Sequence, residues 1–265
     1  MPFGTMGKGD RKRFRVQVDV GDIVERFNLA RTWRWFGLAG LVGVAGGLAA
    51  LAFHWLTETG GLLIWRYLIG WVPPVPGGEP LPPGSAGGEP RMLMLIAVPA
   101  VSALVVALLV HYLAPEAAGS GTNQAISAYH HDRGQMRRRV AWVKLLASSL
   151  TVASGGSAGR EGPIAQIGAA LGSLVGRVFN LSDRERRILV MVGVAAGIGA
   201  IFRAPLAGAL FAAEVLYSDP DIESEVVIPA LISSMVGYSI YCSVHGFGHI
   251  FLGTRDFAGV EVLDK

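Results

Sequence analysis

The sequence predicts an all-α, polytopic membrane protein with broken and re-entrant helices. Three observations predict it. Hydrophobic residues make up 51% of the chain, charged residues only 16%, and the mean hydropathy is +0.45, whereas a soluble domain carries about 25% charged residues. Three apolar runs, Trp35–Leu56, Met92–Ala114 and Val226–His245, each hold the roughly 20 residues that cross a hydrocarbon core. Between the second and third runs the apolar stretches shorten and glycine interrupts them, the pattern of discontinuous helices that meet near the bilayer midplane.

Taken in order, residues 1–34 form a basic segment with Lys8, Arg11, Lys12, Arg13, Arg15, Arg26, Arg31 and Arg34, and residues 19–30 could lie as a short amphipathic helix on the membrane. Residues 35–250 hold the membrane-embedded part. Ala50-Leu51-Ala52 resembles a signal-peptidase site, but the leader is long and the apolar run continues past it. Residues 72–90 contain seven of the 14 prolines and five glycines, which reads as a loop between two spans. With the leader cytoplasmic, the second span returns the chain inside, and Arg133, Arg137, Arg138 and Arg139 then fall on the inner side as the positive-inside rule expects. In a bacterium the membrane is the inner one.

Next come the short stretches Val140–Ala158, Ile164–Val178, Ile188–Phe202 and Pro205–Tyr217. Backbone this irregular survives at membrane depth only where protein or a water-filled cavity surrounds it. Gly43 and Gly47, Gly168, Gly172 and Gly176, and Gly193 and Gly197 repeat at four-residue spacing, which lets helices approach closely. The acidic run Asp219, Asp221, Glu223 and Glu225 reads as a solvated loop with a helix starting near Ser224. Residues 251–265 read as a truncated C-terminal loop. The single Cys242 excludes an intrachain disulfide, no zinc-type Cys/His spacing occurs, and aromatic residues do not alternate with basic ones as an RNA-binding face requires. His130 and His131 sit in the basic loop as a solvated pair.

Two glycine-rich segments could carry chemistry. Ser157 to Gly168 places Arg160 beside Glu161 inside a long uncharged region, and an ionisable pair in that setting is a functional-site hypothesis. Pro163 suits a first helical turn, so a helix opening at Gly162 or Pro163 aims its free N–H groups and positive dipole end at whatever sits beside Glu161. Such ends bind anions. The bland alternative is a surface turn with an exposed Arg–Glu pair. The second segment, Ala114 to Asn123, offers the Ser120 hydroxyl and the Gly119 and Gly121 backbone to an anion; the alternative there is a loop with an N-capping serine. Lys144 lies in an apolar run, where snorkelling to the interface is the simpler account. Gly155-Gly156-Ser157-Ala158-Gly159 also fits the G-x-S-x-G elbow of serine hydrolases, which needs a strand–turn–helix and His and Asp partners. An intramembrane hydrolase is therefore a remote alternative.

Gly119-Ser120-Gly121, Gly159-Arg160-Glu161-Gly162-Pro163, and Ala195-Ala196-Gly197 followed by Phe202-Arg203-Ala204-Pro205-Leu206-Ala207-Gly208, Phe211 and Glu214, in this order and separation, resemble the CLC family of chloride channels and chloride/proton antiporters. The resemblance covers about residues 30–250 and corresponds to the first half of that family's transmembrane domain. It implies chloride as the transported ion with no cofactor, a lipid bilayer setting, and a homodimer. It makes Glu161 the gating glutamate, whose carboxylate occupies an anion position when ionised and swings away when protonated. Gly119, Ser120, Gly121, Arg160 and Gly162 match the anion-binding segments, and Lys144, Glu214 and Val215 stand in supporting positions. The family's antiporters carry a second, proton-relaying glutamate just after the position matched by Glu214. This chain has Val215 there, which leans the resemblance toward passive, gated chloride conduction. Asn123 replaces the family's usual proline. The family's second half is missing, so the expected alternatives are a chloride/proton antiporter and a non-conducting half-subunit completed by a second chain.

Overall fold

The computed structural model describes residues 29–71, 90–216 and 223–247, all of it helix, turn and irregular chain without a strand. The expected amphipathic helix at 19–30, the proline-rich loop and the C-terminal loop fall almost wholly outside these residues. Helix α1 (Leu29–Leu63) continues into a π-helical turn, Ile64–Ile69. It outruns the apolar stretch expected to end at Leu56; Glu58, two residues further on, stays within the helix and accepts from His54 one turn back at 2.9 Å. At 1.5 Å per residue α1 is about 52 Å long, which exceeds a bilayer core and requires tilt or projection. Gly70, at φ +79°, closes the π turn by donating its N–H to the Trp65 carbonyl at 2.9 Å.

Helix α2 (Met92–Leu113) falls within a residue of its expected run, and Ser102 is its one buried residue. A 3-10 turn, Pro115–Ala117, leads to α3 (Thr122–His130). Then follow α4 (Arg138–Ala153), α5 (Glu161–Val178), α6 (Asp183–Ile201), α7 (Pro205–Glu214) and α8 (Ser224–His245). Among the described residues three helices, α1 with its π turn, α2 and α8, are long and apolar enough to cross a membrane. The ten-residue α7 is too short to span upright.

Helix α6 forms the centre. Every residue from Ile188 to Ile201 is buried, and α1, α3, α5, α7 and α8 pack around it. Its start is fixed by a capping box: Ser182 accepts from the Glu185 N–H, and the Glu185 carboxylate accepts from the Ser182 N–H at 3.0 Å. Inside a bilayer, association of apolar helices rests on close packing rather than on water exclusion. The glycine seam provides that packing. A Cβ added at Gly168 would strike the Gly193 carbonyl, and one at Gly172 would strike the Leu189 carbonyl. Gly43 and Gly47 similarly admit the Ser233 and Gly237 backbone of α8. Helix α8 begins at Ser224 as expected, with Glu223 at its cap.

Candidate functional site

Both glycine-rich segments open helices. Gly119 (φ +77°) and Gly121 (φ +105°) adopt left-handed backbone, which side chains other than glycine rarely accept. They turn Ser120 outward, and Gly121, not Ser120, occupies the cap of α3. The first bond within α3 runs from Ala125 N–H to the Gly121 carbonyl at 3.3 Å. Helix geometry therefore leaves the N–H groups of Thr122, Asn123 and Gln124 without intrahelical partners.

Helix α5 opens at Glu161, one residue before the expected start, with Arg160 at the cap and no side chain capping it. Its first bond joins Ile164 N–H to the Arg160 carbonyl at 3.3 Å. Glu161 and Gly162 thus present unpaired N–H groups within the helix, and Pro163 has none to present. About half a positive charge gathers at such an end.

The two openings touch backbone to backbone. A Cβ at Gly162 would collide with the Ser120 carbonyl, and one at Gly121 with the Gly162 carbonyl and with Gln166 Cβ at 2.9 Å. Glycine at both positions is what brings residues 41 apart in sequence, Ser120 and Glu161, to the same cavity. That cavity has a volume of about 1040 Å³; Gly119, Ser120, Lys144, Glu161 and Gly162 line it, with Phe211 of α7 and an apolar flank of α2. Ser120 and Glu161 are both exposed to it.

Lys144 does not snorkel. It is 3% exposed, and its Nζ donates to the carbonyls of Ala117 at 3.0 Å and Gly119 at 2.6 Å. Those carbonyls face inward because of the glycine turn, so the ammonium finds acceptors at depth and holds the Ser120 loop in place. Arg160 does not line the cavity; its guanidinium lies within electrostatic reach of His54 and Tyr241. Gly121 is buried behind the cavity wall. Glu214 is exposed at the end of α7, and Val215 beside it is half-buried. Neither lines the cavity. His130, expected in solvent, meets the Leu216 carbonyl at 3.0 Å.

Sequence reasoning missed Gln166. It is fully buried on α5, and its Nε2 donates to the Glu116 carbonyl at 2.7 Å, tying α5 to the Ser120 segment. The signal was available: it is the one side-chain amide in the Ile164–Val178 run. Ser157 lies in irregular chain after a helix, where the hydrolase elbow would need a strand. In chemical terms the cavity offers helix-end N–H groups, one hydroxyl and a nearby ammonium against mostly apolar walls, with a single carboxylate among them. That set attracts an anion without a contacting cation that would trap it.

A family model described as voltage gated chloride channel matches residues 102–262, more than half of the chain. A ClcB-like protein of Ralstonia nicotianae is 32% identical over 232 residues, covering 85% of this chain and 51% of the relative. The H(+)/Cl(-) exchange transporter ClcA of Vibrio vulnificus is 32% identical over 214 residues, 79% of this chain and 42% of the relative. The chain thus spans about half the length of these curated relatives. The crystal structure of a CLC-type fluoride/proton antiporter superposes with a TM-score of 0.65 at 20% identity, over 82% of this chain and 48% of that one.

Proposed function

The chain belongs to the voltage-gated chloride channel (CLC) family, and from that premise we propose that it moves small anions, chloride foremost, through the Glu161 cavity in exchange for protons. Members of this family are integral membrane transporters, not enzymes. The observation that carries the reading is the shared cavity: two helix openings, one furnished with a neutral hydroxyl and one with a carboxylate, face the same space. An anion held by Ser120 and the N–H groups of Gly119 and Gly162 competes there with the ionised Glu161. Protonation removes the charge of Glu161 and its claim on the position. Proton and anion then occupy the site by mutual dependence, which is what exchange requires. Kinship with a relative named as an H(+)/Cl(-) exchange transporter, at 32% identity, supports the coupling.

A second reading, passive gated conduction, has its own observation: valine at 215 cannot carry a proton. Vesicles holding this polypeptide separate the two. Under exchange, an imposed chloride gradient drives protons against their own gradient; under passive conduction chloride moves and the pH inside does not follow. The basic pole bearing Arg133, Arg137, Arg138 and Arg139 is assigned to the cytoplasm, with the leader on the same side. A homodimer follows from the family resemblance, and cross-linking in native membranes tests it.

A further inference from the structure

An exchanger needs a carboxylate that loads protons from the basic pole, and Val215 removes the position where the resemblance places one. A second acid stands close by. Glu116, in the 3-10 turn before Ser120, lines a second cavity, of about 720 Å³, at the pole that carries Arg133 and Arg137. Its Oε1 pairs with Arg137 at 3.1 Å. Its Oε2 is buried and has no hydrogen-bond partner. The residues immediately after it, Ala117 to Ser120, line the cavity that holds Glu161. Glu116 therefore stands on the partition between the two cavities.

The partition has a polar seam. Gln166, fully buried, donates its Nε2 to the Glu116 carbonyl at 2.7 Å, and its own Oε1 has no partner. Gln166 lies five residues along α5 from Glu161, about 7.5 Å of helix rise. A buried acceptor without a donor is costly, roughly 1–3 kcal/mol, and Glu116 Oε2 and Gln166 Oε1 are two such acceptors, of the kind that bound water satisfies. The seam is too polar to be packing alone.

We propose that Glu116 is the proton-loading carboxylate of the basic pole, passing a proton along Gln166 to Glu161; the inference rests on the exchange reading above. The Glu116 carboxyl, which lines the polar cavity, takes a proton from water there. The proton moves through water held by Gln166 to the Glu161 carboxylate, and Glu116 is left ionised against Arg137. No bond other than O–H forms or breaks. The charged and titratable groups facing Glu116 are Arg137, Arg133, Arg177, His131 and Asp132 around its cavity, and Lys144 through the Ala117 carbonyl.

The test measures proton and chloride flux together in vesicles of the full chain. Glu116→Gln is expected to lower proton uptake about a hundredfold, the lower range for loss of a positioned acid–base group, while chloride efflux persists. Glu116→Asp restores coupling, because the carboxyl is what matters. Asp132→Asn leaves the proton-to-chloride ratio in place. If Glu116→Gln stays coupled, the proposal is overturned and exchange stands. If Arg137→Ala uncouples as strongly, Glu116 acts by holding the loop, and the proposal is overturned again. If the unmodified chain carries chloride without protons, the exchange reading fails and takes this inference with it.

Discussion

The two glycine-rich openings are built alike and furnished differently. Each turns the chain, starts a helix, and leaves backbone N–H groups unpaired at the same cavity. The opening at Gly119–Gly121 carries a hydroxyl and is braced from below by the Lys144 ammonium. The opening at Arg160–Gly162 carries an acid and has no such brace. The difference teaches that the cradle belongs to the backbone, while the side chain decides whether an opening receives an anion or brings its own.

The comparison can be broken at the joint. Gly162→Val drives a side chain into the Ser120 carbonyl. Overpacking in a yielding core costs about 1–3 kcal/mol, and a backbone collision belongs at or above the top of that range. The expected outcome is loss of monodisperse protein in detergent, or a melting temperature far below that of the parent. Gly159, three residues earlier, has nothing closer than the Glu161 nitrogen at 4.0 Å, so Gly159→Ala should fold normally. Equal damage at both positions would mean that the two openings do not depend on their contact.

The furnishing is next. Glu161→Gln supplies the same shape without the charge, at any pH. Chloride efflux should rise, and its dependence on pH should flatten. A flux and pH profile identical to the parent's would remove Glu161 from the gate. Lys144→Met strips the Ala117 and Gly119 carbonyls of a charged donor, an interaction worth about 1.5–3 kcal/mol. A drop in thermal stability is expected, with weaker chloride binding as the Ser120 loop loosens; a stability unchanged in a thermal melt would show the brace to be idle. Ser120→Ala comes last, removing one hydrogen bond to the anion at the low end of the about 1.5–3 kcal/mol that bonds to charged groups are worth, or roughly tenfold in chloride affinity by calorimetry. A larger loss at Ser120 than at Lys144 would invert the account of which group holds the loop.

Much of the architecture was legible in the sequence. Hydropathy marked the three long spans, and α2 ends within one residue of its expected run because nothing but lipid-like surface interrupts it. Helix α1 was underestimated because the apolar run stops at Leu56, whereas Glu58 stays within the helix and hydrogen-bonds His54 one turn back. The glycine seams between α5 and α6 were legible as a spacing. The meeting of Gly121 with Gly162 was not, since no periodicity links two turns 41 residues apart. Lys144 was misjudged for a related reason: its acceptors are backbone carbonyls, which every residue has and which only a particular turn makes available. Glu116 passed unnoticed because an acid beside a proline looks like an ordinary loop until the cavities on either side of it are known.

The enclosure of α6 has a consequence for how the molecule comes apart. With every side from Ile188 to Ile201 covered by five neighbouring helices, its amides can trade their hydrogens for deuterium only when the bundle as a whole opens. Helix α2, which buries Ser102 alone, answers instead to the lipid around it. Exchanging a thick bilayer for a thin one should therefore change the deuterium uptake of α2 within the first minutes of labelling, and leave that of α6 as it was.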